Sequence, residues 1–316
     1  MIKISVVIPT FNRDWCIVRA IKSVLSQNYD NWQIILIDDG SIDRTKNILE
    51  PYLKSDTRIK YIYKINGGVG SARNVGIEYI IRNNNNLKNN YILFLDSDDE
   101  LTENALTVIK ESIKKNNNQE IFFFGSSSEK DKKNYYMLKK NLMIGFKELL
   151  SDKYTSGERV AIVMARVFKH KEFRFKENIC GGEAMLWWEM AKKICILCID
   201  EVVVITHTGS KNSITRGELN NNSVNNIYNI SQEIIRLYSE DLKRYNKKFL
   251  GSNYFVYARA TALLGNRKKS IKLFFNGLIL NPFDLKRISI YLLSMVDYNL
   301  KLINFLQKVE SRFKFL

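Results

Sequence analysis

Asp96, Asp98 and Asp99 have the clearest chemical potential of any residues in this chain. They follow an apolar run at 91–95, giving YILFLDSDDE. A short apolar run of this kind reads as a buried strand. In an extended chain residues two apart face the same side, so Asp96 and Asp98 are expected to face one spot. Carboxylates so close repel unless a cation lies among them. All-oxygen donors suit Mn2+ or Mg2+, and such ions commonly hold substrate phosphates. The alternative is an acidic turn that merely ends a strand and caps the next helix.

Further candidates stand at other strand ends. Pro9, Thr10, Phe11, Asn12 and Arg13 follow the apolar run at 3–8, and Asp38-Asp39-Gly40-Ser41 follows the run at 33–37. Gly67-Gly68-Val69-Gly70 precedes Ser71-Ala72-Arg73-Asn74. Glycines before a helix suit a phosphate cradle, but the Gly-Lys-Ser/Thr ending of a P-loop is missing, and so is the GxGxxG spacing of a dinucleotide site.

These residues require a particular scaffold. Apolar runs at 3–9, 33–37, 59–64 and 91–95 read as strands, with helical spacing at 17–27, from Ser41 through Leu53, and from Ser71 through Tyr79. Strand and helix alternate, which predicts an α/β, mostly parallel, Rossmann-like sheet with flanking helices. In such sheets ligands bind beyond the carboxyl ends of the strands, where the candidates lie. Further on, 102–115 and 146–150 read as helices, 120–125 as a strand, and 126–140 as a polar excursion. The apolar run 160–167 is expected under an acceptor site, and 194–205 reads as two strands around Asp200-Glu201. From Asn220 the chain turns helical: 227–245, 253–264, 269–280 and 282 onward. Domain expectations are 1–110, 111–217 and a C-terminal helical region at 218–316.

The formal net charge is +16, and the three parts carry +1, +6 and +9 in turn. The surplus is therefore away from the acidic strand end. It suits an anionic membrane surface or a phosphorylated acceptor. A nucleic-acid partner is not expected, because no recognition motif with stacking aromatics accompanies the charge. No run of about 18 apolar residues predicts a membrane span, and the N-terminus reads as a first strand, so the expected location is cytoplasmic, with the inner face of the cell membrane as a docking place. Cys195 and Cys198 lie in the extended pattern ICILCIDEVVVI and read as two buried free thiols.

Four blocks, SVVIPTFNR, LIDDGSIDRT, NGGVGSARNVGI and FLDSDDEL, occur in this order over about the first 110 residues. Together they resemble the nucleotide-sugar domain of family 2 glycosyltransferases, which have the GT-A fold. The resemblance implies an inverting transfer of a sugar, hexosyl or N-acetylhexosaminyl, from a nucleoside-diphosphate sugar to a glycan or lipid-linked glycan acceptor, with Mn2+ or Mg2+. It implies nucleotide-sugar contacts from Pro9, Thr10, Phe11, Asn12, Arg13, Asp39, Gly68, Gly70, Arg73, Asn74, Asp96, Ser97 and Arg216, with Asp98 and His207 as metal ligands. A carboxylate can accept from uracil N3–H, which suits Asp39 as base reader, with a UDP-linked donor. Asp38 should do a different job, either as a turn residue or as a ligand contact. Arg73 could face the diphosphate or Asp96.

Similar enzymes often have Glu-Asp after glycine, including the catalytic base. This chain reads Gly182-Glu183-Ala184, so Glu183 is the candidate base inside the motif, with Glu189 next. A first-turn carboxylate is also good helix-dipole chemistry. Of Trp187 and Trp188, one is expected in the core and the other is free to stack on a sugar. The missing second acid leaves open a protein that keeps the fold with weak or no turnover.

Overall fold

The computed structural model describes residues 1–130, 134–135, 141–151, 159–170, 172–177, 179–207 and 220–296. The chain divides into two compact units, 1–210 and 211–316. The first unit opens with β1 (Lys3–Thr10), α1 (Ile17–Leu25), β2 (Trp32–Asp38), α2 (Thr45–Ser55), β3 (Ile59–Tyr63), α3 (Gly68–Asn83) and β4 (Asn90–Phe94). Next come β5 (Glu100–Leu101), α4 (Ala105–Lys115), β6 (Ile121–Ser128), β7 (Asn134–Tyr135), β8 (Leu142–Ile144), α5 (Phe146–Ser151), β9 (Arg159–Met164), α6 (Glu183–Ala191) and β10 (Ile196–Thr206).

One sheet runs β3-β2-β1-β4-β9-β6-β10-β5. Strands β1 to β4 pair in parallel, and so do β6 and β10. Between these blocks β9 runs antiparallel to both β4 and β6. The central strands are fully buried, including Val6, Val7, Ile8, Ile34, Ile35 and Leu36. That is why their sequences read as continuous apolar runs and not as alternating ones. Pro9 is tolerated in β1 because it lies beyond the last β4 pair, Val7 with Phe94, where no ladder bond on that side needs its N–H. Gly76 lets α3 lie close on β1, since a Cβ there would meet Val7 Cγ1 at 2.6 Å.

Several expectations are revised by the fold. The stretch 160–167 is not a floor beneath a surface but β9, inside the sheet, followed by the short 3₁₀ turn Ala165–Lys169. In place of two strands at 194–205 there is one, β10 (Ile196–Thr206), which accommodates Asp200-Glu201 through register shifts between Cys198 and Val204. Residues 126–128 belong to β6. Ser71 lies inside α3, which already starts at Gly68. Cys198 is buried, but Cys195 is exposed. Residue 110 lies in α4, and the two units divide at 210/211.

The second unit holds α7 (Asn221–Tyr245), α8 (Lys247–Leu263), α9 (Arg267–Leu280) and α10 (Leu285–Val296). Asn220, Asn246 and Asn266 cap the first three, each side chain accepting from a backbone N–H of the first turn. The core gathers Tyr257, Ala258, Ala262, Leu273 and Tyr291. Gly277 permits close approach to α8, because a Cβ there would meet the Phe255 ring at 2.8 Å.

Candidate active site

The carboxyl ends of β1, β2 and β4 and the N-terminus of α3 meet at one rim. The exit loop of β1 is stapled to that of β2. Asn12 takes the left-handed backbone region (φ 52°), which Asn tolerates better than most residues. Its N–H donates to Ser41 Oγ (2.8 Å), and its side-chain oxygen accepts from Ile42 N–H (2.9 Å). Arg13 N–H donates to Thr45 Oγ1. Phe11 is exposed at this rim. Thr10 is buried, and its Oγ1 has no hydrogen-bond partner among the described residues. The two adjacent aspartates split as strand alternation requires. Asp38 holds the turn, accepting from Ser41 N–H (2.7 Å) and the Tyr61 hydroxyl (2.6 Å). Asp39 turns to the other side. It accepts from Lys64 Nζ (2.5 Å) and from the N–H groups of Gly67 (3.0 Å) and Gly68 (2.7 Å). A buried carboxylate thus sits on the positive end of α3.

The glycine stretch is shaped for close approach as well as for a ligand. Gly68 has φ 86°, in the left-handed region. A Cβ on Gly70 would run into the Lys176 carbonyl oxygen. Asn74 completes this contact: its side chain donates to the Phe175 carbonyl (2.9 Å) and accepts from the Phe175 N–H (2.9 Å). It also donates to Glu177 (3.2 Å). In this arrangement Asn74 is spent on the chain at 175–177.

Arg73 is the centre of the site. Its Nη2 donates to Asp96 (2.7 Å) and its Nη1 to Glu183 (2.5 Å), 110 residues away in sequence. The guanidinium is buried and lies over the Phe175 ring at 5.2 Å. Burial by itself lowers the pKa of Arg73, but Asp96 and then Glu183 raise it, and the net movement is upward. Of the two neighbours expected for Arg73, Asp96 is paired with it here, and the structure adds Glu183 as its second partner. Glu183 opens α6 after Gly181 (φ 82°) and Gly182. Its Oε2 takes no hydrogen bond from a described residue, and its side chain is 33% exposed. Glu189 pairs with Lys192 along the helix surface. Trp188 is buried. Trp187 is half-buried and packs edge-on against Phe123 and Phe175 and tilted against Phe94, so of the two tryptophans Trp188 is the buried one.

Asp96 to Asp99 form a turn beyond β4, closed by Asp99 N–H donating to the Asp96 carbonyl (3.0 Å). The expected extended spacing of Asp96 and Asp98 is therefore replaced by a turn. Asp96 is exposed, Ser97 is buried and Asp98 is half-buried. Burial pushes the Asp98 carboxyl up, and the negative charge of Asp96 pushes it further. A half-buried carboxylate beside a second negative charge is stabilised by a cation, and its oxygens suit Mn2+ or Mg2+. Among the described residues no group of three His, Cys, Asp or Glu side chains converges as a metal cage. A divalent ion held by one or two carboxylates and a substrate diphosphate needs no such cage. The residues fit the ion on those terms. His207 faces elsewhere: its Nε2 pairs with Glu100 (3.0 Å), its Nδ1 with Glu129, and its backbone N–H donates to Asp99 (3.0 Å). Arg216 lies outside the described residues.

Three contributors escaped the sequence reading. Arg19, on α1, donates to the Asp98 carbonyl. Lys64 neutralises Asp39, and its position at the carboxyl end of β3 was the available signal. The stretch 175–177 covers the glycines of α3, and nothing near it in sequence announces that.

Comparison with known proteins agrees with this geometry. The model of Glycosyl transferase family 2 matches residues 5–174. A Campylobacter jejuni protein, GalNAc(5)-diNAcBac-PP-undecaprenol beta-1,3-glucosyltransferase, is 28% identical over 95% of this chain and 96% of its own length. An uncharacterized glycosyltransferase of Rickettsia felis is 30% identical over 80% of this chain but only 44% of its own length, and one of Rickettsia conorii is 33% identical over 63% and 32%. Among solved structures, Staphylococcus aureus TarS 1-349 in complex with UDP-GlcNAc superposes with TM-score 0.64 at 17% identity, covering 97% of this chain and 92% of that one. A mannosyltransferase from Pyrobaculum calidifontis in complex with GDP-Man and Mn2+ gives TM-score 0.54 at 12% identity, covering 97% and 87%. At these identities the likeness speaks for the GT-A fold. A strand-end site built from the four sequence blocks, on this fold and with the family match over more than half the chain, makes the chain a member of glycosyl transferase family 2, and a glycosyltransferase.

Proposed function

We propose that this glycosyltransferase is an inverting, metal-dependent enzyme. It moves a sugar from a UDP-linked donor to a hydroxyl of a lipid-linked glycan in surface polysaccharide or glycoconjugate assembly. The observation that carries this is the Arg73 bridge, which joins the strand-end acid Asp96 to the first-turn acid Glu183. Donor-side and acceptor-side chemistry thereby share one hydrogen-bonded group. The near full-length relative that acts on an undecaprenol-linked glycan supports the acceptor class. UDP-GlcNAc bound to a protein of the same fold supports the donor class.

Asp98 would hold Mn2+ or Mg2+ together with the donor diphosphate, and the ion would offset charge on the leaving group. Asp39 and the loop 9–13 would hold base and ribose, with Asp96 and Ser97 near the ribose. Gly68 and Gly70, at the start of α3, would face the diphosphate, with Arg73 and Asn74 supporting them. To read uracil N3–H, Asp39 exchanges one of its present donors, with Lys64 the mobile one. Glu183 would take the proton of the attacking acceptor hydroxyl through Oε2, which has no hydrogen bond from a described residue, while Arg73 holds Oε1. His207, with both ring nitrogens on carboxylates, reaches a metal only by releasing Glu100 or Glu129. One displacement at the anomeric carbon gives inversion.

The test is transfer and donor hydrolysis measured over a panel of UDP-sugars with Mn2+. EDTA and Asp98→Ala should each abolish turnover. Full activity in either case removes the metal role.

A further inference from the structure

The outward face of α9 has no role in the chemistry above. Ile271, Phe275 and Ile279 recur every four residues and are 44%, 57% and 81% exposed. At 3.6 residues per turn they fall, together with Lys268 and Lys272, within about 100° of the helix circumference. Phe283 (88% exposed) and Leu285 extend the apolar surface past the helix end. Scattered exposed apolar residues are ordinary, but a contiguous stripe marks an interaction surface. The opposite face of α9 is already satisfied. Ser270, Leu273 and Gly277 are buried, and Phe274 stacks on Tyr291 at 4.3 Å. Core packing therefore does not explain the stripe.

The charges on this face say what covers it. Lys268 and Lys272 make no ion pair with a described residue. Within 220–296 there are twelve Lys/Arg against four Asp/Glu. A helix face that carries apolar side chains and cations together complements a surface whose outside is anionic and whose inside is hydrocarbon. A folded protein partner would match the stripe without requiring the cationic excess. We propose that the Lys268–Ile271–Lys272–Phe275–Ile279 face of α9, with Phe283, docks peripherally on an anionic lipid bilayer. The aromatic and aliphatic side chains enter the headgroup boundary, and the two lysines meet lipid phosphates. The inference rests on unit 211–316 alone and stands whether or not the reaction assigned above is correct.

Co-sedimentation of the full chain with vesicles tests it. One set is pure phosphatidylcholine, and the other contains one-third phosphatidylglycerol. Binding should favour the anionic vesicles by about tenfold or more and weaken with salt. Phe275→Ser with Ile279→Ser, and separately Lys268→Glu with Lys272→Glu, should each reduce it by about tenfold. All four positions are solvent-exposed, so thermal midpoints should stay those of the parent, and a circular-dichroism melt confirms that each variant is folded. Equal binding to both vesicle types overturns the proposal, and so does parental binding by folded variants. Concentration-dependent self-association that disappears in Phe275→Ser/Ile279→Ser also overturns it, by assigning the face to a second copy.

Discussion

Arg73 holds two carboxylates on one planar guanidinium, and that geometry is what a lysine cannot copy. Arg73→Lys should keep the charge but lose one of the two contacts, lowering kcat at least tenfold, as steady-state transfer assays would show. Glu183→Gln keeps an oxygen for Arg73 and removes the proton acceptor. Its kcat should fall about 100-fold with an unchanged melting temperature. Near-normal turnover would move the base elsewhere. The thiols make a separate test. Burial pushes Cys16 and Cys198 up to about 12. At about pH 8 only roughly one such thiol in 10⁴ is ionised, and the thiolate is the reactive form. Iodoacetamide followed by peptide mass mapping should therefore find exposed Cys195 modified well before either. At this scale the sequence marked candidate residues but not their partners. Asp98's carbonyl support from Arg19 and Asp39's from Lys64 cross 79 and 25 positions, distances at which local pattern carries no information.

Helix α3 is positioned by absences of side chain. Gly76 brings it onto β1, and Gly70 admits the backbone at 175–177. Gly70→Ala should push that segment away and destabilise the fold by about 1–3 kcal/mol, read by urea denaturation. Asn74→Ala orphans the Phe175 N–H and carbonyl and should cost about 1–3 kcal/mol. If Asn74 were instead a ligand contact alone, stability would stay near that of the parent and only donor affinity would fall. The strands and helices of the first half were legible because buried parallel strands need unbroken apolar runs. Strand β9 was located as an apolar run but misplaced. An antiparallel strand inserted between two parallel blocks is chosen by pairing across the sheet, which periodicity does not encode. Likewise Asp96–Asp99 was expected to stay extended, whereas the chain turns as soon as the β4 ladder ends.

At the scale of the molecule, donor binding should appear as stabilisation. UDP with Mn2+ at about 100 times its Kd should raise unfolding free energy by about 2.7 kcal/mol, seen as a thermal shift. Mn2+ alone should give little, since the protein offers few ligands without the diphosphate. Asp98→Asn should remove the metal-dependent part of the shift and leave the parent's own melting temperature close to its original value.

The order of four motif blocks and the strand-helix alternation fixed the fold class and the family, and they marked the strand-end rim as the candidate site. Each of those follows from local composition, because burial and turn formation act over a few residues. Tertiary structure alone decided that Arg73 joins Asp96 to Glu183, that Trp188 and not Trp187 is the buried tryptophan, that His207 lies between two glutamates, and that one face of α9 is exposed. Those outcomes depend on which distant surfaces meet, and a pairing between segments a hundred residues apart leaves no trace in either segment by itself.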